Sequence, residues 1–435
     1  MDAGKVEFVV VGSGAGGATL ARELTRRGRT VLVVERGRGE QKVGTFADAV
    51  RFYDANRVTQ MPARSREGVI LWRAFMAGGT TIAACGNAVR CLEPELAEHG
   101  IDLANELAEA ERDLRVCPIA EGLLSDGSLA IRDAATRLGY RMEPMPKVVD
   151  PVRCTRCAAC PMGCANGAKW TAREYLEDAE RMGATVMYET EVVQVTLDHG
   201  TAHGITARGP DGPLTVAADV VILAAGGLAT PLILQRSGIT EAGRGLFVDL
   251  LVNTYAVTDG LNQVHEPVMA LVDHELHKTE GLILSPHVNI SRRVRFAELG
   301  PRGMAASANR LLGIMTKIVD EPAGEVHPDG SVSKPVTARD RARLERGSEI
   351  ASEILVKAGA RRDQIMRSRP QGAHPGGTAA VGTIVDSDLQ TKVDGLFVCD
   401  GSVLPTAPGL PPILTIVALA KRLAATLAPA TPAPS

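Results

Sequence analysis

Residues 6 to 11 (VEFVVV) form a run apolar at every position but Glu7, the pattern of a strand buried on both faces of a parallel sheet. Glycine and serine interrupt it at once. From Ala15 to Arg27 the apolar positions fall at Ala18, Leu20, Ala21 and Leu24, which predicts a helix with one buried stripe. Gly28 ends that helix and a second buried strand follows over Thr30 to Val34, completing a βαβ unit roughly thirty residues long. Helical periodicity with charged outer faces recurs over 103–115 and 340–358. Between these helices, Thr185 to Thr196 and His203 to Ala207 read as paired strands, and Ala218 to Ala225 as a buried strand ending in Gly226-Gly227. Late in the chain, Gly395 to Cys399 predicts a short strand and Ile413 to Leu427 a helix. VHEPVMALVDHELHK alternates polar and apolar residues and reads as a strand, and the closing PATPAPS (residues 429–435) has the composition of a disordered tail.

The turn after the first strand carries G-x-G-x-x-G as Gly12, Gly14 and Gly17, and Glu35 ends the second strand. In that context each residue has a physical task. Gly12 permits the turn, Gly14 lets a pyrophosphate approach the backbone and the helix N-terminus, Gly17 allows close helix packing, and Glu35 can accept hydrogen bonds from ribose hydroxyls. The expected fold class is therefore α/β with a Rossmann-type dinucleotide-binding domain. With 435 residues the chain suits two to three domains' worth of structure, one of them discontinuous.

Composition narrows the function. A formal net charge of -3, with Lys and Arg scattered along the chain, offers no field for nucleic acid. The N-terminal residues run directly into a strand without a basic region, an apolar region and a cleavage site, so a cytoplasmic location is expected. The most apolar stretch, Val220 to Leu234, contains Gly226, Gly227 and Pro231 and is too short to span a bilayer, so no transmembrane segment is expected.

Cys154, Cys157, Cys160 and Cys164 form a C-x2-C-x2-C-x3-C run with the spacing of ferredoxin loops, where thiolates wrap an iron–sulfur cluster. Even spacing suits a cluster better than a single zinc ion, which normally takes two ligand pairs separated by a longer spacer. Free thiols, or a disulfide that only stabilises the loop, are the other readings. Cys85, Cys91 and Cys117 are remote candidates for a fourth ligand, with Cys164 favoured over Cys117. His274, Glu275 and His277 have spacing that a metal could use, but the strand-like alternation around them favours a structural role.

Four segments make the chain similar to the glucose-methanol-choline (GMC) family of flavin oxidoreductases. They are VVVGSGAGGATLARELTRRGRTVLVVERG (9–37), AGGTTIAACGNAVR (77–90), VVILAAGGLATPLILQRSG (220–238), and the stretch from HPGGTAAVG at 374 through FVCDGSVLPTAPGLPPILTIVALAKRLA. The segment at 77–90 most resembles the family's bacterial sugar dehydrogenase branch. The resemblance implies FAD as the cofactor, with Gly78, Gly79, Thr80 and Thr81 near the flavin pyrophosphate and ring and Asn87 alongside the isoalloxazine. It further implies that the Val193 backbone meets the adenine, that Asp400 and Gly401 bind the diphosphate and ribityl, and that Ala15, Arg36, Ala225, Gly226, Pro412 and Ile413 add contacts.

His374 matches the family's active-site histidine, suited to remove a hydroxyl proton as hydride leaves for the flavin. The family usually has a second histidine or an asparagine before the terminal helix. Here Gly409-Leu410-Pro411-Pro412-Ile413 offers no such side chain, so His374 acts alone, or His287 or Asn289 supplies the contact, or the reaction differs from simple alcohol oxidation.

The resulting expectation is an FAD-dependent dehydrogenase that oxidises a CH-OH group of a small alcohol. Its electrons leave through a 4Fe-4S or 3Fe-4S cluster to a redox protein or quinone, and it pairs with an electron-transfer subunit. An electron-transfer flavoprotein subunit without alcohol chemistry and a cluster-free flavin alcohol oxidase are the alternatives. Residues 1–250 and 372–428 are expected to form the FAD-binding domain, with the cysteine insert at 151–172, and residues 251–371 a smaller α+β substrate cap.

Overall fold

The structure is a computed structural model and describes residues 2–39, 42–55 and 62–429, so the predicted tail lies, from residue 430 onward, outside the described residues. Its first sheet has seven strands. Their order is Thr185–Met187, Val31–Val34, Asp2–Val11, Gly212–Leu223, Thr201–Gly209 and Glu191–Asp198, with Leu396–Val398 also pairing to Gly212–Leu223. Val9 lies opposite Leu32 on one side and Val221 on the other, all in parallel, and all three are buried as their unbroken apolar context requires. The strand Gly212–Leu223 changes role along its length. Its first half pairs antiparallel with Thr201–Gly209, while its second half, Val221 to Leu223, lies parallel to Leu396–Val398.

Helix Ala15–Arg26 lies against helix Ile413–Leu427, so the two ends of the chain share one layer. Gly16 lets the first helix approach the end of strand Leu396–Val398: a Cβ there would sit 1.9 Å from the Cys399 carbonyl oxygen.

The second sheet has six strands, ordered Leu282–Pro286, Leu311–Ile318, Leu250–Val257, Gln371–Gly372 and Ile70–Leu71, with Met366–Arg367 also on Leu250–Val257. Helix Ala338–Lys357 begins at a reciprocal cap between Thr337 and Asp340 and buries Leu344, Ile350, Ala351, Ile354 and Leu355 against this sheet. Most of the sequence-predicted elements of the first sheet fall within two residues of their expected ends. Three depart: the first strand begins at Asp2, four residues before the predicted Val6; the predicted strand Thr185 to Thr196 is two, Thr185–Met187 on Val31–Val34 and Glu191–Asp198 on Thr201–Gly209; and Gly212–Leu223 begins six residues before the predicted Ala218 because its first half is the alternating, half-exposed partner of a hairpin. The expected strand around VHEPVMALVDHELHK is corrected: only Leu271–Val272 is extended, and Glu275–Glu280 is a short helix ended by Gly281 at φ +68. Its His277 Nε2 bonds the Pro408 carbonyl at 2.8 Å, and among the described residues neither His274 nor His277 belongs to a group that could hold a metal ion.

Candidate active site

A cavity of about 720 Å³ lies between the two sheets. Gly12, Gly14 and Ala15 of the first turn line it, with Glu35 and Arg36 from the end of the second strand. Gly79, Thr80, Thr81 and Asn87 form a second part of its wall, Ala225 and Gly226 a third, and Asp400, Gly401, Pro412 and Ile413 a fourth. His374 opens onto the same space. Three of the sequence-predicted residues do not line it. Gly17 packs against the Gly12 carbonyl, where a Cβ would approach to 1.9 Å, Gly78 donates its N–H to Ser13 Oγ at 3.1 Å, and Val193 sits beside Val192, which lines the cavity instead.

The turns are held by side chains. Glu35, buried, accepts from the Ser13 N–H at 2.9 Å, the Ser13 hydroxyl at 2.6 Å and the Gly37 N–H at 2.6 Å. Burial pushes its carboxyl up, against those three hydrogen bonds. Asp400 accepts from the Gly226 N–H at 2.8 Å, the Thr230 hydroxyl at 2.6 Å and the Ser402 N–H at 2.7 Å, and so ties the late loop to the turn after the central strand.

His374 has a partner that sequence pattern does not reveal. Its Nδ1 lies 2.8 Å from Asp249 Oδ2, while Asp249 Oδ1 accepts the Gly409 N–H at 2.9 Å. Strand pairing brings them together. Leu250 pairs with Gly372, and His374 N–H donates to the Val248 carbonyl at 3.0 Å, so Asp249 and His374 flank one crossing point. Asp249 is wholly buried with φ +51, and burial pushes its carboxyl up to about 7. Burial and, secondarily, the Lys317 ammonium hold the His374 imidazole neutral. An ionised Asp249 can only accept, so Nδ1 donates and Nε2 keeps the lone pair of a base.

The second sheet forms another wall. Leu251 lies opposite both Lys317 and Gln371, and Asn253 lies opposite Met315; because paired residues share a face, all five reach the cavity together. Behind them Glu298 accepts from Asn253 at 3.0 Å, Asn289 at 2.8 Å, Gln371 at 3.0 Å and the Tyr255 hydroxyl at 2.8 Å. Asn289 is therefore committed to Glu298. His287 lines the cavity, burial pushes it down to about 4, and its Nδ1 has no hydrogen-bond partner among the described residues.

The cysteine loop lies outside this cavity. Cys154, Cys157, Cys160 and Cys164 line a separate space of about 20 Å³ together with Lys169, and all eight cysteines of the chain are unpaired thiols. The unpaired state corrects the disulfide reading. Cys164 Sγ accepts the Ala168 N–H at 3.3 Å, and Arg156 and Ala158 hold φ of +56 and +53, conformations that cost non-glycine residues of order 1–3 kcal/mol each. Among the described residues, the only group of three ligand atoms close enough for a single ion is Glu23, Glu109 and Asp113, which excludes single-ion spacing for the four thiols as they stand. Cys85 is half-buried beside Cys160, and desolvation pushes its thiol up to about 11, while Cys117 is exposed on a strand pairing with Lys147.

Comparisons with known proteins agree with this architecture. An uncharacterized GMC-type oxidoreductase of Mycobacterium tuberculosis is 28% identical over 97% of this chain and 75% of its own length. An uncharacterized protein of Methanocaldococcus jannaschii is 29% identical over 96% and 98%, and a long-chain-alcohol oxidase of Arabidopsis thaliana is 22% identical over 96% and 67%. Pyridoxine 4-oxidase from Mesorbium loti has the same fold, with a TM-score of 0.74 at 17% identity over 97% of this chain and 99% of that one. Residues 10–40 match an NAD(P)-binding Rossmann-like domain. The two parts of the GMC oxidoreductase description match residues 98–256 and 315–420 in order along the chain, and this protein is a flavin-dependent oxidoreductase enzyme of the GMC oxidoreductase family.

Proposed function

We propose that the chain oxidises a CH-OH donor, with FAD held by the glycine turns and His374 taking the hydroxyl proton. The observation that carries this reading is the Asp249–His374 pair at 2.8 Å, its carboxylate buried and its imidazole open to the cavity that the glycine turns line. The cavity wall suits the cofactor: a Cβ added at Gly14 or Gly226 meets no protein atom within 4 Å, so backbone is bared where a phosphate group must approach. The residues to hold FAD are Gly12, Gly14, Ala15, Glu35, Arg36, Gly79, Thr80, Thr81, Asn87, Ala225, Gly226, Asp400, Gly401, Pro412 and Ile413, with Gly17, Gly78 and Val193 supporting them from behind. FAD, when bound, supplies the hydride acceptor. The protein's part is to orient the donor, exclude water and hold the proton on His374 Nε2.

We place a flavin domain at 1–250 and 372–428, with the cysteine loop 151–172 inserted, and a substrate cap at 251–371; all seven strands of the first sheet fall in the former, while the second sheet is built mainly from the latter and borrows Ile70–Leu71. The finer reading adds an iron–sulfur cluster on Cys154, Cys157, Cys160 and Cys164, a redox protein or quinone as electron acceptor, an electron-transfer subunit as partner and a cytoplasmic location. What supports the cluster is four thiols around one enclosed space with a strained backbone. At about 20 Å³ that space takes one atom, so the loop must open to seat a cluster. The names of the long-chain-alcohol oxidase and pyridoxine 4-oxidase relatives favour the second reading, a cluster-free alcohol oxidase.

Two measurements test these readings. Anaerobic mixing of the FAD-loaded protein with a panel of primary and secondary alcohols bleaches the flavin band if the donor class is right; no bleaching by any of them overturns it. Iron and sulfide analysis of anaerobically purified protein, with peroxide measured in air, separates a dehydrogenase from an oxidase.

A further inference from the structure

Five lysines are almost wholly buried, and four of them have hydrogen-bond or ion-pair partners. Lys147 donates to the Cys85 and Val268 carbonyls and to Asn87. Lys169 donates to the Thr81, Ile82, Ala84 and Cys160 carbonyls. Lys334 pairs with Asp320 at 2.8 Å and donates to the Glu321 carbonyl, and Lys421 pairs with Glu109 at 2.7 Å and Asp113 at 2.8 Å. Lys317 differs. It is 2% exposed, lines the cavity, and makes no hydrogen bond or ion pair with any described residue.

A buried ammonium without a partner costs several kcal/mol, so it persists where a ligand completes it. The carboxylates of this wall are already engaged. Asp249 is held by His374 and Gly409, and Glu298 by four donors. The other ionisable groups facing Lys317 are Cys85 and Cys91, whose thiols burial pushes up to about 11 and about 12 and so keeps neutral, and His374, also neutral. Burial pushes the Lys317 ammonium down and the charge of Asp249 holds it up, but no described residue takes a hydrogen bond from it, so its N–H donors are turned to the cavity, beside the base, in a site where the segment Gly409 to Ile413 provides no polar side chain.

We propose that Lys317 is the oxygen anchor of this site, donating to the donor's hydroxyl oxygen and holding it as His374 removes its proton. This rests on the CH-OH reading of the same cavity. The proton passes from the hydroxyl to His374 Nε2, and the ammonium faces the negative charge left on oxygen. A carboxylate presents the same charged oxygen without being oxidisable, and is the probe for the anchor.

The FAD-loaded protein is titrated with acetate, hexanoate and benzoate, each against its matched amide, following the visible difference spectrum of the bound flavin. At least one carboxylate binds the wild-type protein about tenfold or more tighter than its amide, and K317M removes that preference while leaving amide affinity within about twofold. With any alcohol that is turned over, K317M lowers kcat about 10²-fold and changes KM little, because the interaction strengthens as charge develops. If no carboxylate outbinds its amide, the anchor is overturned from the wild-type protein alone, whether or not K317M folds. If K317M keeps the preference and instead shifts the flavin potential, Lys317 serves the cofactor and the proposal fails. Failure of every alcohol to bleach the flavin, with the carboxylate preference intact, sinks the donor class and leaves the anchor standing.

Discussion

Lys421 and Lys317 are both charged, both about as deeply buried, and placed in opposite circumstances. Lys421 sits where helices Ala15–Arg26, Ala104–Asp113 and Ile413–Leu427 meet, 3.6 Å from Glu23 and nearer still to Glu109 and Asp113, with Arg22, Arg26 and Arg27 completing the cluster. Every charge there has an opposite neighbour, and the cluster fixes how three helices pack. Around Asp249, His374 and Lys317 the same burial is used differently, since one ammonium and one imidazole nitrogen are left for something the chain does not contain. A complete cluster is structural; an incomplete one, facing a cavity, is where chemistry belongs.

The largest effect expected is on the incomplete cluster. H374Q slows anaerobic flavin reduction by a reactive alcohol about 10³-fold, the general-base contribution, while its denaturation midpoint stays near that of the wild-type protein. A loss of both together would make His374 another Lys421. D249N follows, at about 10²-fold in kcat/KM, because an amide can donate to Nδ1 and leave the proton on Nε2. Its pH profile is the sharper readout. Asp249 is pushed up to about 7, and the protonated acid likewise donates to Nδ1, so kcat/KM of the wild-type protein rises as pH increases through about 7. That limb disappears in D249N.

For the complete cluster the expected change is in stability alone. K421M costs about 2 kcal/mol in urea denaturation, less than a fully buried pair, because Glu109 and Asp113 reach solvent. It leaves flavin reduction within about twofold. Smallest of all is R90A. The Arg90–Glu111 pair at 2.6 Å is about one-third exposed on each side, and its loss costs about 0.5 kcal/mol.

The glycine turn is far easier to read in the sequence than the cluster of Asp249, His374 and Lys317. The glycine turn, Glu35 and the first two strands are contiguous, so local pattern suffices to place them. The helices at 15–26 and 413–427 also declare themselves by period. Strands Leu282–Pro286 and Leu311–Ile318 do not, because buried apolar runs of that length carry no period to separate strand from helix. Asp249 and Lys317 are hidden for a different reason. They meet His374 only through pairings of Leu250 with Gly372 and of Leu251 with Lys317, which join positions more than sixty residues apart. A signal is nevertheless present, since both are charged residues set inside apolar runs, FVDLLV and IMTKIV, where burial demands a partner. The reverse holds for the thiol run, whose spacing stands out in sequence while its folded positions leave space for one atom.

The contact of Gly16 with the Cys399 carbonyl bears on the order of assembly. The first sheet takes its members from both ends of the chain, and Asp400 clamps Gly226 and Thr230 only after strand Leu396–Val398 has paired. During synthesis the glycine turn exists on the order of tens of seconds before the segment that closes over it. The cradle proposed for the nucleotide is thus finished only when the Leu396–Val398 segment has been made, long after the motif that announces it.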